Sequence, residues 1–174
     1  MSPRAWIPLL TVLVLALTGA LPVPAGTAAP APAASTTTSA RTALTTAQFE
    51  SQLLALTNAR RKKVGCKTLR SSPALTKAAR GHTRKMAAAG NLSHQLPGES
   101  GLAKRIQKAG YTKWTAAAEN IAWGAATPKG VFAMWMNSSG HKANIQRCTY
   151  RDAGFGVVVK NGRPWVTLVL GRRR

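Results

Sequence analysis

The sequence predicts an α+β domain in which helices come first and a β-hairpin closes the chain. Three observations lead there. Apolar residues recur at helical spacing behind N-cap signals through residues 45–90. Asn161-Gly162, the strongest short hairpin signal, stands between two runs of β-prone residues near the C-terminus. The first forty or so residues have the composition of a leader and a tether, so the folded part begins near Leu44.

The leader reads in three parts. Residues 1–6 carry one positive charge, Arg4, and residues 7–21 are almost wholly apolar, interrupted by Pro8 and Gly19. Val23-Pro24-Ala25 then fits the small-residue pattern of a signal-peptidase site, and Ala31-Pro32-Ala33 fits it as well. Residues 1–25 are therefore expected to be a secretory signal peptide. An uncleaved anchor is the other reading, although the apolar run is short for a membrane span. Residues 26–43 are Ala, Pro, Thr and Ser with one charge, Arg41. They bury too little apolar surface to offset ordering entropy and are expected to be a disordered linker. The domain is placed at 44–171, with 172–174 as a basic tail.

Within that domain, Thr45 and Gln48 make a capping box ahead of Phe49, Leu53, Leu56 and Ala59, a helix ending near Val64-Gly65. Ser72-Pro73 opens a second helix whose apolar face is Leu75, Ala78, Ala79, His82 and Met86, and Gly90 closes it. His82, on that stripe, reads as a core histidine rather than a ligand. Residues 92–101 are a loop carrying His94, and residues 102–108 a short helix ended by Gly110. Residues 114–124 show no clear period. Thr127-Pro128 starts a helix with Val131, Phe132 and Trp135 on one side; Ser138-Ser139-Gly140 breaks it, and one more turn follows from His141. Phe155, Val157 and Val159 then alternate with Gly154, Gly156 and Val158, and residues 165–170 form the returning strand.

The chain holds 25 Lys+Arg against 4 Asp+Glu, a formal net charge of +21. Losing Arg4 with a leader leaves +20. The acids are Glu50, Glu99, Glu119 and Asp152. Such a charge biases a protein toward polyanions. The cations are spread along the chain without interleaved aromatics, so nucleic acid is not the expected physiological partner. There are two cysteines, Cys66 and Cys148. In an exported chain an even count favours a bridge, worth about 4 kcal/mol in the chain-entropy model, with two buried thiols as the other reading. No local metal-binding spacing is present.

Several segments together resemble the CAP superfamily (cysteine-rich secretory proteins, antigen 5, plant pathogenesis-related proteins) in its bacterial SCP-like branch. They are Leu53-Leu54-Ala55-Leu56-Thr57-Asn58-Ala59-Arg60, Leu75-Thr76-Lys77-Ala78-Ala79-Arg80-Gly81-His82, Leu92-Ser93-His94 and Glu119-Asn120-Ile121-Ala122. Trp135-Met136-Asn137-Ser138-Ser139-Gly140-His141-Lys142-Ala143-Asn144-Ile145 and Gly154-Phe155-Gly156-Val157 complete the series. Their order and spacing carry the likeness across about 120 residues. The resemblance implies a three-layer α-β-α sandwich with a small antiparallel sheet. It also implies a central cleft holding His94, Glu119 and His141, beside which Asn144 is a further candidate cleft residue, and in some members a divalent metal. A divalent metal such as zinc would be held by His94, His141 and Glu119 with one position left open; the other reading is no metal, since a charge of +20 disfavours cation capture. The chain departs from the family in two places. Its returning strand, Pro164-Trp165-Val166-Thr167-Leu168-Val169, lacks the Gly-His-Tyr-Thr-Gln stretch of eukaryotic members, and Lys85 stands where bacterial members often have an acid. Glu99 or Asp152 would have to supply the missing acid.

Three functions follow as expectations. The first is a secreted, monomeric binding module, extracellular or envelope-associated, that engages anionic wall polymer or lipid through the His/Glu cleft and the basic surface. The second is a metal-assisted hydrolase with Glu119 as catalytic base or ligand beside His94 and His141. The third is a structural domain stapled by Cys66–Cys148. No Gly-x-Ser-x-Gly elbow supports nucleophilic hydrolysis. Ser138 and Ser139 read as helix punctuation, and Asn120, Asn137 and Asn144 as cleft scaffolding or turn residues.

Overall fold

A computed structural model describes residues 44–174; the expected signal peptide and linker lie outside them. Helix α1 (Thr46–Lys63) starts at the predicted capping box, with Thr45 Oγ1 accepting from the Gln48 backbone N–H. Its inward side differs from the expected stripe. Phe49, Leu53, Thr57 and Arg61 face the core, while Leu56 and Ala59 line a surface groove. A two-residue strand, β1 (Arg70–Ser71), leads into α2 (Pro73–Ala89), which Ser72 caps and left-handed Gly90 ends. All five residues of the predicted α2 stripe are buried. Then come α3 (Leu102–Lys108), β2 (Trp114–Trp123), α4 (Pro128–Asn137), α5 (Ser139–Gln146), β3 (Asp152–Lys160) and β4 (Arg163–Arg173).

The sheet order is β1-β3-β4-β2. The long strands pair antiparallel, but β1 pairs parallel with β3, so the sheet is mixed rather than purely antiparallel. The hairpin between β3 and β4 turns at Asn161-Gly162, both with positive φ as a primed turn requires. Two sequence expectations need correction. The stretch without a period is the ten-residue strand β2; its Ala-rich face is half covered, which hides the alternation. The supposed tail is not a tail: β4 runs to Arg173, and Arg172 and Arg173 pair with Ala116 and Trp114.

Alternation along β4 sorts the layers. Val166, Leu168 and Leu170 pack with Phe49, Leu53, Val131, Trp135 and Ile145 from α1, α4 and α5. Val169 packs with Leu75, Ala78, Ala79 and Ile106, and Trp165 with Met86 and Leu96, on the α2–α3 side. This is the α-β-α sandwich. Helix α2 lies directly on β3: a Cβ at Gly154 would come 2.1 Å from the Leu75 carbonyl carbon, and one at Gly156 would come 2.5 Å from the Arg80 nitrogen.

The other end of the molecule is closed by Cys66–Cys148, a disulfide across 82 residues. Beside it, fully buried Arg61 donates to the carbonyls of Lys67, Ile145, Arg147 and Tyr150 at 2.9–3.0 Å. Both devices tie the end of α5 to α1 and its connector.

Candidate functional site

The site forms at β2, the outer strand of the sheet, where side chains from both helical layers meet. Glu119 and Ile121 of β2 share a face toward α2, and Ile121 packs with Met86 there. The loop after α2 brings His94 to Glu119, with Nδ1 donating to Oε1 at 3.0 Å. From the other layer α5 brings His141, whose ring centroid lies 6.4 Å from that of His94. The sequence-predicted His94, Glu119 and His141 therefore come together although 25 and 22 residues separate them in the chain.

Asn144 serves this arrangement by holding α5. Its Nδ2 donates to Asn120 Oδ1 at 2.9 Å and to the Glu119 carbonyl at 3.4 Å, while Asn120 Nδ2 donates to the His141 carbonyl at 3.0 Å. Asn120 and Asn144 are thus scaffold. Asn137 lies apart, lining a surface pocket with Met136 and Lys142.

Four further residues, Arg105, His82, Glu99 and Lys85, complete the cluster. Arg105 of α3 forks onto Glu119: Nη1 donates to Oε2 at 2.9 Å, and Nη2 donates to Oε1 at 3.2 Å and to the His94 carbonyl at 2.9 Å. His82, wholly buried, sets Nδ1 2.9 Å from Glu99 Oε2 and Nε2 3.8 Å from Glu119 Oε1. Lys85 Nζ lies 3.4 Å from Glu99 Oε1. Of the two acids considered to fill out the ligand set, Glu99 joins through His82. Asp152 does not; it accepts from the Tyr111 hydroxyl and from Arg70. The core reading of His82 holds for its burial, yet the ring also links two carboxylates. Arg105 gave no sequence signal, being one of 25 cations in the chain.

Burial alone would push the Glu119 carboxyl up. Hydrogen bonds from His94 and Arg105, with the charges of Arg105 and His82, outweigh it and hold the group below the usual carboxylate value. Burial, aided by the charge of His94, pushes His141 below the usual imidazole value. Glu119 is consequently a weak base with both oxygens occupied, and the accessible chemistry belongs to the two imidazoles. The His94 side chain is 58% exposed.

A divalent ion at His94, Glu119 and His141, as the resemblance implies, does not fit this donor set. Both Glu119 oxygens already accept from Arg105. No three of the described His, Cys, Asp and Glu side chains converge in a way that could hold a metal ion.

Comparisons with known proteins agree with the fold. The family model described as "Cysteine-rich secretory protein family" (CAP) matches residues 54–169. The uncharacterized protein YkwD of Bacillus subtilis (strain 168) is 34% identical over 144 residues, which is 83% of this chain and 55% of YkwD. The chain thus spans little more than half of that relative. An outer surface protein from Borrelia burgdorferi superposes with a TM-score of 0.69 at 20% identity, covering 75% of this chain and 97% of that one. An extracellular protein containing an SCP domain from Bacillus anthracis gives 0.65 at 27% identity, covering 75% of this chain and 44% of that one.

Proposed function

Because the chain belongs to the cysteine-rich secretory protein (CAP) family, we propose that it is an exported binding module for anionic components of the cell envelope. One observation carries the reading. All four acids of the chain are buried: Glu50, Glu99, Glu119 and Asp152 are each 6–8% exposed, and each faces a cation. Among the described residues, the outer surface therefore presents cations without an intervening acidic side chain. A field of one sign raises the local concentration of polyanions and speeds their capture.

A groove between α1, α4 and α5 gives this field a local seat. Its volume is about 390 Å³. Leu56, Ala59, Phe132 and Met136 offer apolar surface, and Arg60, Lys63 and Lys142 supply charge. Apolar and cationic groups side by side suit an anionic lipid, whose acyl segment and acidic head need both. The extracellular protein from Bacillus anthracis, 27% identical, supports a ligand outside the cell. The rival hydrolase reading gains nothing from Glu119, whose carboxylate is tied to Arg105.

The test is sedimentation with phosphatidylglycerol vesicles, neutral phosphatidylcholine vesicles and immobilised poly(glycerol phosphate), at roughly 0.05 and 0.5 M salt. The expected result is capture by phosphatidylglycerol at low salt, release at high salt and no capture by the neutral vesicles. The Arg60→Glu/Lys63→Glu variant should bind less well than Lys104→Glu/Lys108→Glu, which carries the same charge change away from the groove. Capture by the polymer alone would move the ligand from lipid to wall. Absence of salt-sensitive capture on either surface sinks the proposal.

A further inference from the structure

We propose that Arg105 is a built-in cation standing where a divalent ion would otherwise sit, so that the cleft works without metal and engages its ligand through His94 and His141. Carboxylate and guanidinium are planar and match edge to edge, and the two-point fork uses both Glu119 oxygens at 2.9 and 3.2 Å. Arg105 is 8% exposed and Glu119 7%, so water competes little for either partner.

The same guanidinium also donates to the His94 carbonyl, fixing the loop that carries the imidazole. Two of the would-be ligands are thus held by one side chain from a third element. Arg105 Nε has no partner, so the side chain is oriented by its terminal nitrogens, which face Glu119 and His94. His82 crowds the remaining approach, with Nε2 3.8 Å from Glu119 Oε1. A dication entering here would have to displace the fork and then lie against a buried, permanently charged guanidinium. With Lys85 also beside Glu99, like-charge repulsion opposes it from two sides.

Arg105 is accordingly a positioning residue. It neutralises Glu119 and sets His94, whose Nδ1 is held by Glu119, and it leaves His94 Nε2 and the His141 ring to meet a ligand. This does not depend on what the protein binds: failed capture by envelope surfaces would leave it standing, and metal binding would overturn it without touching the surface reading.

The experiment is calorimetric titration of the purified, metal-stripped protein with zinc chloride, beside Arg105→Gln and Arg105→Gln/His141→Ala. Wild type should show no one-to-one binding at micromolar zinc. Arg105→Gln, which frees the Glu119 oxygens, should gain zinc affinity by at least about ten-fold, and the double variant should lose that gain. One-to-one binding by wild type that His94→Ala or His141→Ala removes would overturn the inference. So would a folded Arg105→Gln protein, judged by its circular dichroism melt, that binds zinc no better than wild type. Should Arg105→Gln fail to fold, the wild-type titration still decides, and Arg105→Met, which loses both the charge and the fork, replaces it with the same expected gain in direction.

Discussion

Adding one methyl group should have opposite signs at Gly154, where β3 meets α2, and at Gly81, on an open part of α2. At Gly154 a Cβ would lie 2.1 Å from both the Leu75 carbonyl carbon and the Thr76 nitrogen. Ordinary contact begins at 3.4 Å, so α2 must retreat by about 1.3 Å. The obstructing atoms belong to helix backbone and cannot swing aside. Overpacking usually costs about 1–3 kcal/mol, and this rigidity puts Gly154→Ala at the upper end, ~3 kcal/mol. At Gly81, inside α2, a Cβ meets nothing within 4 Å. There the substitution removes only backbone freedom from the unfolded chain and should stabilise by about 0.5–1 kcal/mol. Urea unfolding followed by the fluorescence of buried Trp135 and Trp165 reads both, as midpoint shifts at constant m. A loss under about 1 kcal/mol at Gly154, or the same sign at the two sites, would refute the reasoning about helix–sheet approach.

Other perturbations test the remaining supports. Replacing Cys66 and Cys148 with Ala should cost about 4–5 kcal/mol by the chain-entropy relation for a loop of this length, read from melts of oxidised wild type and variant. Arg61→Met leaves the buried carbonyl of Ile145 unpaired and leaves that of Tyr150 with Arg151 alone; at about 1–3 kcal/mol for an orphaned group this predicts a loss of ~2 kcal/mol, with faster hydrogen exchange in α5. The folded Glu119 carboxyl lies below its unfolded value, so its stabilisation is present above about pH 4.3 and disappears as pH falls through the folded value. His141 is also depressed, so the unfolded chain protonates first and stability declines as pH drops below about 6.5. Melting temperature should therefore fall from pH 7 to pH 3, and Glu119→Gln should flatten the lower part of that decline. Histidine NMR should show His141 titrating below the usual imidazole range.

Much of the fold could be read from local signals that act within one turn or one hairpin. The Thr45 capping box, the Ser72-Pro73 start and the Asn161-Gly162 turn all stand where the residues indicate. Strand β2 escaped because Ala116, Ala117 and Ala118 carry no alternation, and the ladder with β4 that makes them a strand is a contact between residues far apart in the chain. The site divides the same way. His94, Glu119 and His141 stand in recognisable segments. Arg105 sits among ordinary helix residues, and only the tertiary approach of α3 to β2 gives it a buried carboxylate. In α1 the expected apolar stripe misled because Arg61 is buried for its hydrogen bonds to four carbonyls, a demand made by the α5–β3 loop and invisible in α1 itself.

With its acids withdrawn into the interior, the domain formed by the described residues offers no acidic side-chain patch to its own copies. Neighbours on a charged support then repel each other over a Debye length, about 8–10 Å at ordinary ionic strength. Loading should be anticooperative, each arrival weakening the next, and coverage should stop short of close packing. Modest salt would let the copies crowd closer before it releases them altogether. On an anionic support the molecules should form a spaced layer rather than clusters.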